Sequence, residues 1–241
     1  VLFLLSIMSA PLVAAQDGTP VASPAASPAA SPADEATPAA SPAAVTCEPF
    51  VSATAAESRA EIESRYDLEQ PTTMDSSYVT GATGDLQSVN PFFVESDPSL
   101  TVTGYIFDPL LAGDPETGQP IAGGVTDYYE IAADCVTYTF HLRTDKVWSD
   151  GTDLTADDVA FSLEAMADVS LASPYTGQFL AAVKSWEVID ADTIQIVAND
   201  ILADFLTTVG YSTSIIQKAA WENVPRADWV TDPGSTGQDP S

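Results

Sequence analysis

The stretch V147-W-S-D-G-T-D-L-T-A-D-D-V-A-F-S-L-E-A-M166 decides how the chain is read. It holds one Trp, an Asp-Gly pair and five carboxylates, followed by an amphipathic run. Such a cluster is either a metal or catalytic centre or the way a strand passes the chain to a helix. Ser149, Asp150, Gly151 and Thr152 read as a tight turn, because Asp-Gly suits positions that need positive φ. Thr155 fits a helix N-cap, with Asp158 at the third position of a capping box, Asp standing in for Glu. Asp157 and Asp158 lie at the positive end of the helix dipole. Val159, Leu163 and Met166 share one helix face, with Phe161 and Ala165 beside it. Trp148 reads as a packing residue. Only Asp145, just upstream, and Asp153 are left without a structural task, and both read as solvated.

The catalytic alternatives fail on spacing. A calcium loop counted from Asp145 puts Val147 and Ser149 where acids are needed. His141 is the only His, and it sits on the polar side of a strand pattern, where a solvent-facing residue is expected. No G-x-S-x-G elbow, H-E-x-x-H or phosphate-binding glycine loop occurs. No catalytic residue, metal ligand or cofactor site is therefore assigned.

Around this stretch the pattern is mixed α and β. In V136-T-Y-T-F-H-L-R143 strict alternation puts Val136, Tyr138, Phe140 and Leu142 on one side, as in a half-buried strand. D127-Y-Y-E-I-A-A-D-C135 supplies a partner strand and a turn at Asp134. S185-W-E-V-I-D-A-D-T-I-Q-I-V-A-N-D200 reads as a second hairpin, turning at Asp190-Ala191-Asp192. Residues 53–65 read as a short helix, 101–121 as a helix or an extended entry leading to a loop, and 218–224 as helix-like.

The 241 residues carry 35 Asp and Glu against seven Lys and Arg, a net charge of -28. That surface repels phosphate backbones and anionic lipid, which sets nucleic-acid binding aside. Residues 1–15, apolar and ending in a small-x-small site, read as the tail of a secretory signal, cleaved after Ala15. Residues 16–46 contain an Ala/Ser/Pro repeat with almost nothing to bury, the composition of a disordered spacer. At about 3 Å per residue, its repeat over 19–44 would reach roughly 80 Å if extended. Residues 47–83 read as a helical and irregular lead-in, and 84–241 as the folded domain. Cys47 and Cys135 suggest one disulfide in a secreted chain; two free thiols, or pairing with parts of the protein not present, are the alternatives.

The segment Y138-T-F-H-L-R-T-D-K-V-W-S-D-G-T-D-L-T-A-D-D-V-A-F-S-L-E-A-M-A-D168 closely resembles a signature of the extracytoplasmic solute-binding proteins of the peptide/nickel ABC-importer family, family 5. S173-P-Y-T-G-Q-F-L180 is similar to the segment after that helix. G84-D-L-Q-S-V-N-P-F-F-V-E-S96 resembles the family's first-strand segment, 105–131 its next conserved block, and 186–197 its later hairpin. The resemblance runs collinearly over about 84–225. Asp153 stands where Pro is usual, Tyr129 near a usual Trp, Asn90 where Asp is frequent, and Cys135 where a turn Gly is common.

The resemblance implies an α/β, type II periplasmic-binding-protein-like fold of two lobes, of which the N-terminal part is present: the start of the first lobe plus a small subdomain. It implies a cargo-binding component of an ABC importer, not an enzyme. The expected partners are peptides or similar solutes and a membrane permease, in an extracytoplasmic setting. Glu95, Ser96 and Asp97, just after the first-strand proline, are the implied ligand-binding residues. A cargo sensor, a carboxylate-based hydrolase and a surface adhesin are the rival readings. A neighbouring permease gene, turnover lost with one carboxylate, or binding to surfaces without small cargo would separate them. With half of the family's cleft absent, the isolated 241-residue piece is expected to bind cargo poorly.

Overall fold

The structure is a computed structural model that describes residues 46–66, 81 and 83–236. Its centre is an antiparallel sheet of five strands in the order β1-β4-β5-β7-β6. These are β1 (Phe50–Val51), β4 (Thr126–Ile131), β5 (Thr137–Leu142), β6 (Val183–Asp190) and β7 (Thr193–Ala198), with a separate two-strand ladder of β2 (Ala112–Gly113) and β3 (Pro120–Ile121).

The alternation read from β5 is the register of the sheet. Phe140 lies opposite Tyr129 on β4 and Ile194 on β7, and Tyr138 lies opposite Ile131 and Ile196. Because side chains alternate across a strand, these rows fall on one face. Tyr129, Tyr138, Phe140, Ile194 and Ile196 are all buried there. Helix α3 (Ala156–Ala167) closes this core with Val159, Leu163 and Met166, together with Phe179 of α4 (Thr176–Ala182). The second hairpin turns at Ala191 and Asp192, as its sequence indicates, and Ala191 accepts a hydrogen bond from the Ala156 N–H at the start of α3.

Beyond the sheet the chain doubles back on itself. Leu110 and Leu111 donate backbone hydrogen bonds to Thr213 and Gly210, and Ile215 donates to Asp108. Asn90 Nδ2 donates to Ser235 Oγ, so residues near both ends of the 84–236 body meet. Trp229, fully buried, sits among Phe92, Phe161 and Trp221 with ring centroids 4.9–6.1 Å apart. Gly124 has φ +62 and a Cβ there would lie 2.2 Å from the Pro109 carbonyl oxygen, so only glycine lets the two backbones approach.

Two expectations change at the N-terminal side. The segment 84–96 forms turns, not a strand. Asn90 Oδ1 accepts the Phe92 N–H, an Asx turn that bends the chain, and Pro91 removes a donor that a ladder would need. Phe92 and Val94 are instead buried as plugs. Ahead of it, the 47–66 stretch carries both helix α1 (Ala55–Arg65), capped by the Thr54/Glu57 box, and the short edge strand β1. Residues 67–80 of the lead-in, and the signal-like and spacer stretches, lie outside the described residues.

Cys47 and Cys135 are joined in a disulfide. Cys135 has φ +64, the left-handed turn position at which the related pattern has glycine. Among the described residues no helix is long and apolar enough to cross a membrane.

Candidate functional site

The acid-rich stretch resolves into a structural joint. Gly151 takes φ +84 at the turn, and Asp150 accepts from the N–H and hydroxyl of Thr152 and from Gln217 Nε2. Thr155 holds the N-cap position of α3, and Asp158 reaches back to it as the third residue of a capping box does, without the Thr155 hydroxyl accepting a helix N–H. The Asp158 carboxylate is buried and accepts from Thr155 N–H at 3.0 Å, Thr155 hydroxyl at 3.3 Å and Trp148 Nε1 at 3.3 Å. Its other oxygen accepts from the backbone N–H of Lys218 at 2.8 Å. Lys218 opens helix α5 (Lys218–Trp221), so this one carboxylate ties the turn, α3 and α5 together. Replacing Thr155 with Ala removes the hydroxyl bond to Asp158 and is expected to cost about 1 kcal/mol, the usual net worth of one hydrogen bond. An unchanged denaturant midpoint would show that bond to be idle.

Asp145 is exposed to solvent, as the sequence indicates, and in addition holds Arg143 through two hydrogen bonds, at 2.9 and 2.7 Å. Arg143 and Asp145 lie two apart just beyond β5, and the i, i+2 spacing of a strand face singles out no ion pair by itself. His141 differs from its expectation. Its ring stacks on Tyr128 at 4.2 Å and it is only 26% exposed, with Glu130 3.6 Å from Nε2. Among the described residues no three His, Cys, Asp or Glu side chains gather as a metal site.

The acids of these turns bear on pH. The Asp114 carboxyl is lowered to about 2, first by the Thr117 N–H and then by the Glu116 N–H and the Arg65 guanidinium. Asp150 is lowered to about 2, chiefly by the Thr152 hydroxyl and N–H. Both have folded values below the ordinary 3.8. Their stabilisation is therefore complete above about pH 4 and is lost as pH falls from there toward 2. The expected result is a denaturation midpoint that drops over that window, with less of a drop in Asp150→Asn.

Glu95, Ser96 and Asp97 follow Val94, which lines a groove, and none of the three is itself in the lining. Val94 before them is anchored by burial and by the Tyr175 hydroxyl, which donates to its carbonyl oxygen. Ser96 is extended, with φ −94° and ψ 143°, and caps helix α2 (Asp97–Ile106) without a side-chain bond. Its buried Oγ has no partner among the described residues. Nor, among those residues, is any hydrogen bond made by the backbone N–H groups of Val94, Glu95 and Ser96. Beside this segment runs a groove of about 510 Å³ lined by Val94, Leu100, Phe107, Tyr175, Tyr211 and Ser214, among others. Burial pushes the Tyr175 phenol up, and the charge of Glu95 adds to the effect. The lining thus comes from 91–109, from the end of the α3–α4 link and from 211–214. Tyr175 lies in the S173–L180 segment singled out by resemblance, but nothing in the sequence pairs it with Val94.

The arrangement can be set against known proteins. The model of the bacterial extracellular solute-binding proteins, family 5 (middle part), matches residues 119–238. The periplasmic oligopeptide-binding protein OppA of Salmonella typhimurium is 35% identical over 51% of this chain and 21% of its own length. Among solved structures, the oligopeptide-binding protein AppA of Bacillus subtilis, in complex with a nonapeptide, has the same fold at 19% identity and a TM-score of 0.60, over 65% of this chain and 31% of that one. OppA of Haemophilus influenzae, in complex with the peptide RPPGFSPFR, matches at 26% identity and a TM-score of 0.53, over 60% of this chain and 31% of that one. The chain thus spans about a fifth of the curated relative and under a third of these solved chains. Its α/β body is part of the type II periplasmic-binding-protein fold. By motif, match and fold, the chain belongs to the bacterial extracellular solute-binding proteins of family 5.

Proposed function

We propose that this chain serves an ABC importer as its substrate-binding component, taking peptides or similar small solutes outside the membrane and delivering them to the permease. The observation that carries this reading is the segment 94–96, extended at Ser96, whose backbone N–H groups make no hydrogen bond among the described residues, beside a largely apolar groove. An extended peptide can add to such a segment as a strand, its main chain giving affinity and its side chains entering the groove. Glu95, Ser96 and Asp97 are the contact residues, with either carboxylate able to take a cationic group of the cargo. The names of the relatives support peptide cargo, and their periplasmic setting supports an extracytoplasmic place reached by a signal and held on a spacer. Nothing in the reading requires catalysis or a cofactor. The groove is one wall of the site, and closure of a second lobe over the cargo would produce the state the permease recognises.

Hydrogen–deuterium exchange with and without a mixture of short peptides tests the contact. Slowed exchange at 94–97 and around Tyr175 is the expected result. Peptide binding with protection confined to other segments would contradict this site.

A further inference from the structure

All seven Lys and Arg of the chain fall within the described residues, so the positive charge of this body can be traced completely. Arg59 pairs with Glu63, Arg65 with Glu61, Asp114 and Glu116, Arg143 with Asp145, and Lys146 with Asp108. Lys218 lies 3.6 Å from Asp157 and Arg226 3.9 Å from Asp168. Lys184 is the one cation without an ion pair among the described residues, and it projects from strand β6. None of the seven lines the groove beside Val94.

The carboxylates are placed the opposite way. Glu95 and Asp97 are exposed, form no ion pair among the described residues, and lie one and three residues after Val94, a lining residue, without lining the groove themselves. Glu95 is close enough for its charge to be felt by the Tyr175 phenol in the groove wall. The floor is apolar and aromatic, with Leu100, Phe107 and Tyr211. Such a groove offers contact to an uncharged side chain and hydroxyls such as those of Ser212 and Ser214, but no cation to pair with a carboxylate, while two unpaired anions beside it are open to a cation. The net charge of -28 extends the same preference to long range, drawing cations in and turning anions away.

We propose that the groove selects cationic peptides, those with Lys or Arg beside an apolar side chain, and discriminates against acidic ones. This rests on the capture reading above and adds the class of cargo. An exposed charge pair is worth up to about a fivefold change in affinity, so the two carboxylates together set the scale of the preference.

The test is calorimetric titration of the protein as isolated from its source with Lys-Leu-Lys, Ala-Leu-Ala and Glu-Leu-Glu, at 20 and 300 mM sodium chloride. The tripeptide with two lysines is expected to bind at least about fivefold more tightly than the neutral one, and the acidic one most weakly. The ratio should shrink at high salt, where screening acts within a few ångströms. It should shrink likewise in the Glu95→Gln/Asp97→Asn variant, whatever that variant does to overall affinity. Equal affinities, or preference for the acidic peptide, would overturn the charge selection and leave capture standing. A failure of all three to bind would overturn capture, and the selection with it.

Discussion

Reducing the Cys47–Cys135 bridge, or replacing both residues with Ser, is expected to lower stability by about 4 kcal/mol. The bridge closes a loop of 88 residues. On the chain-entropy model a loop of that size, once opened, returns about 4.5 kcal/mol of conformational freedom to the unfolded state. The native side holds little to replace it. Strand β1 has two residues, both exposed, and helix α1 buries only Ala55 and Ser58. Apart from the bridge, the N-terminal arm is held by Cys47 N–H to the Ala133 carbonyl, by Ser52 against Tyr129 and by Arg65 on Asp114. The loss should therefore be read in two places: a lower midpoint in urea, and faster amide exchange in 50–65 than in β5 and β7. A midpoint unmoved by reductant, with the thiols shown to be free, would mean that the bridge contributes nothing to this fold.

Asp158→Ala is expected to cost about 3 kcal/mol, more than the cap residue it pairs with. Its carboxylate satisfies four donors from three parts of the chain. Removal leaves the Thr155 and Lys218 N–H groups and the Trp148 indole N–H in a part-buried setting, and each unsatisfied donor carries its own desolvation cost. Because Asp158 joins α3 to α5, the loss should also loosen the return of the chain over 218–229, including Trp229 against Phe161. Asp158→Asn keeps the shape and should recover part of the loss, since its amide oxygen still accepts. Tryptophan fluorescence and urea titration follow both effects. A cost below about 1 kcal/mol for the Ala variant would show that the four bonds are replaced by water.

The parts of this fold that were legible share one property: their signal is local. Alternation at Val136–Leu142 and across 185–198 follows from one buried sheet face, and the α3 start follows from a cap, two acids and an apolar face within eight residues. The acid cluster was readable as structure for the same reason. Strand β1 was not, because two residues are too few to show a period, and its pairing with β4 is fixed by a bridge whose partner lies 88 residues away. The first-strand likeness of 84–96 misled because Asn90 and Pro91 turn the chain where a ladder would begin. The Asp145 ion pair escaped because a contact between residues two apart depends on side-chain rotamers. The groove was the least legible. Leu100, Tyr175 and Tyr211 carry no shared pattern, and only folding sets them side by side. Glu95, Ser96 and Asp97 came from resemblance to a family, and of their neighbourhood it is Val94 that lines the groove.

Peptide capture is tested most directly by native mass spectrometry of the protein purified from its own source without denaturation. The account predicts a population carrying an adduct of peptide mass, which releases on activation and yields a sequence by fragmentation. Protein that flies bare, and stays bare after incubation with a mixed peptide digest, would contradict it.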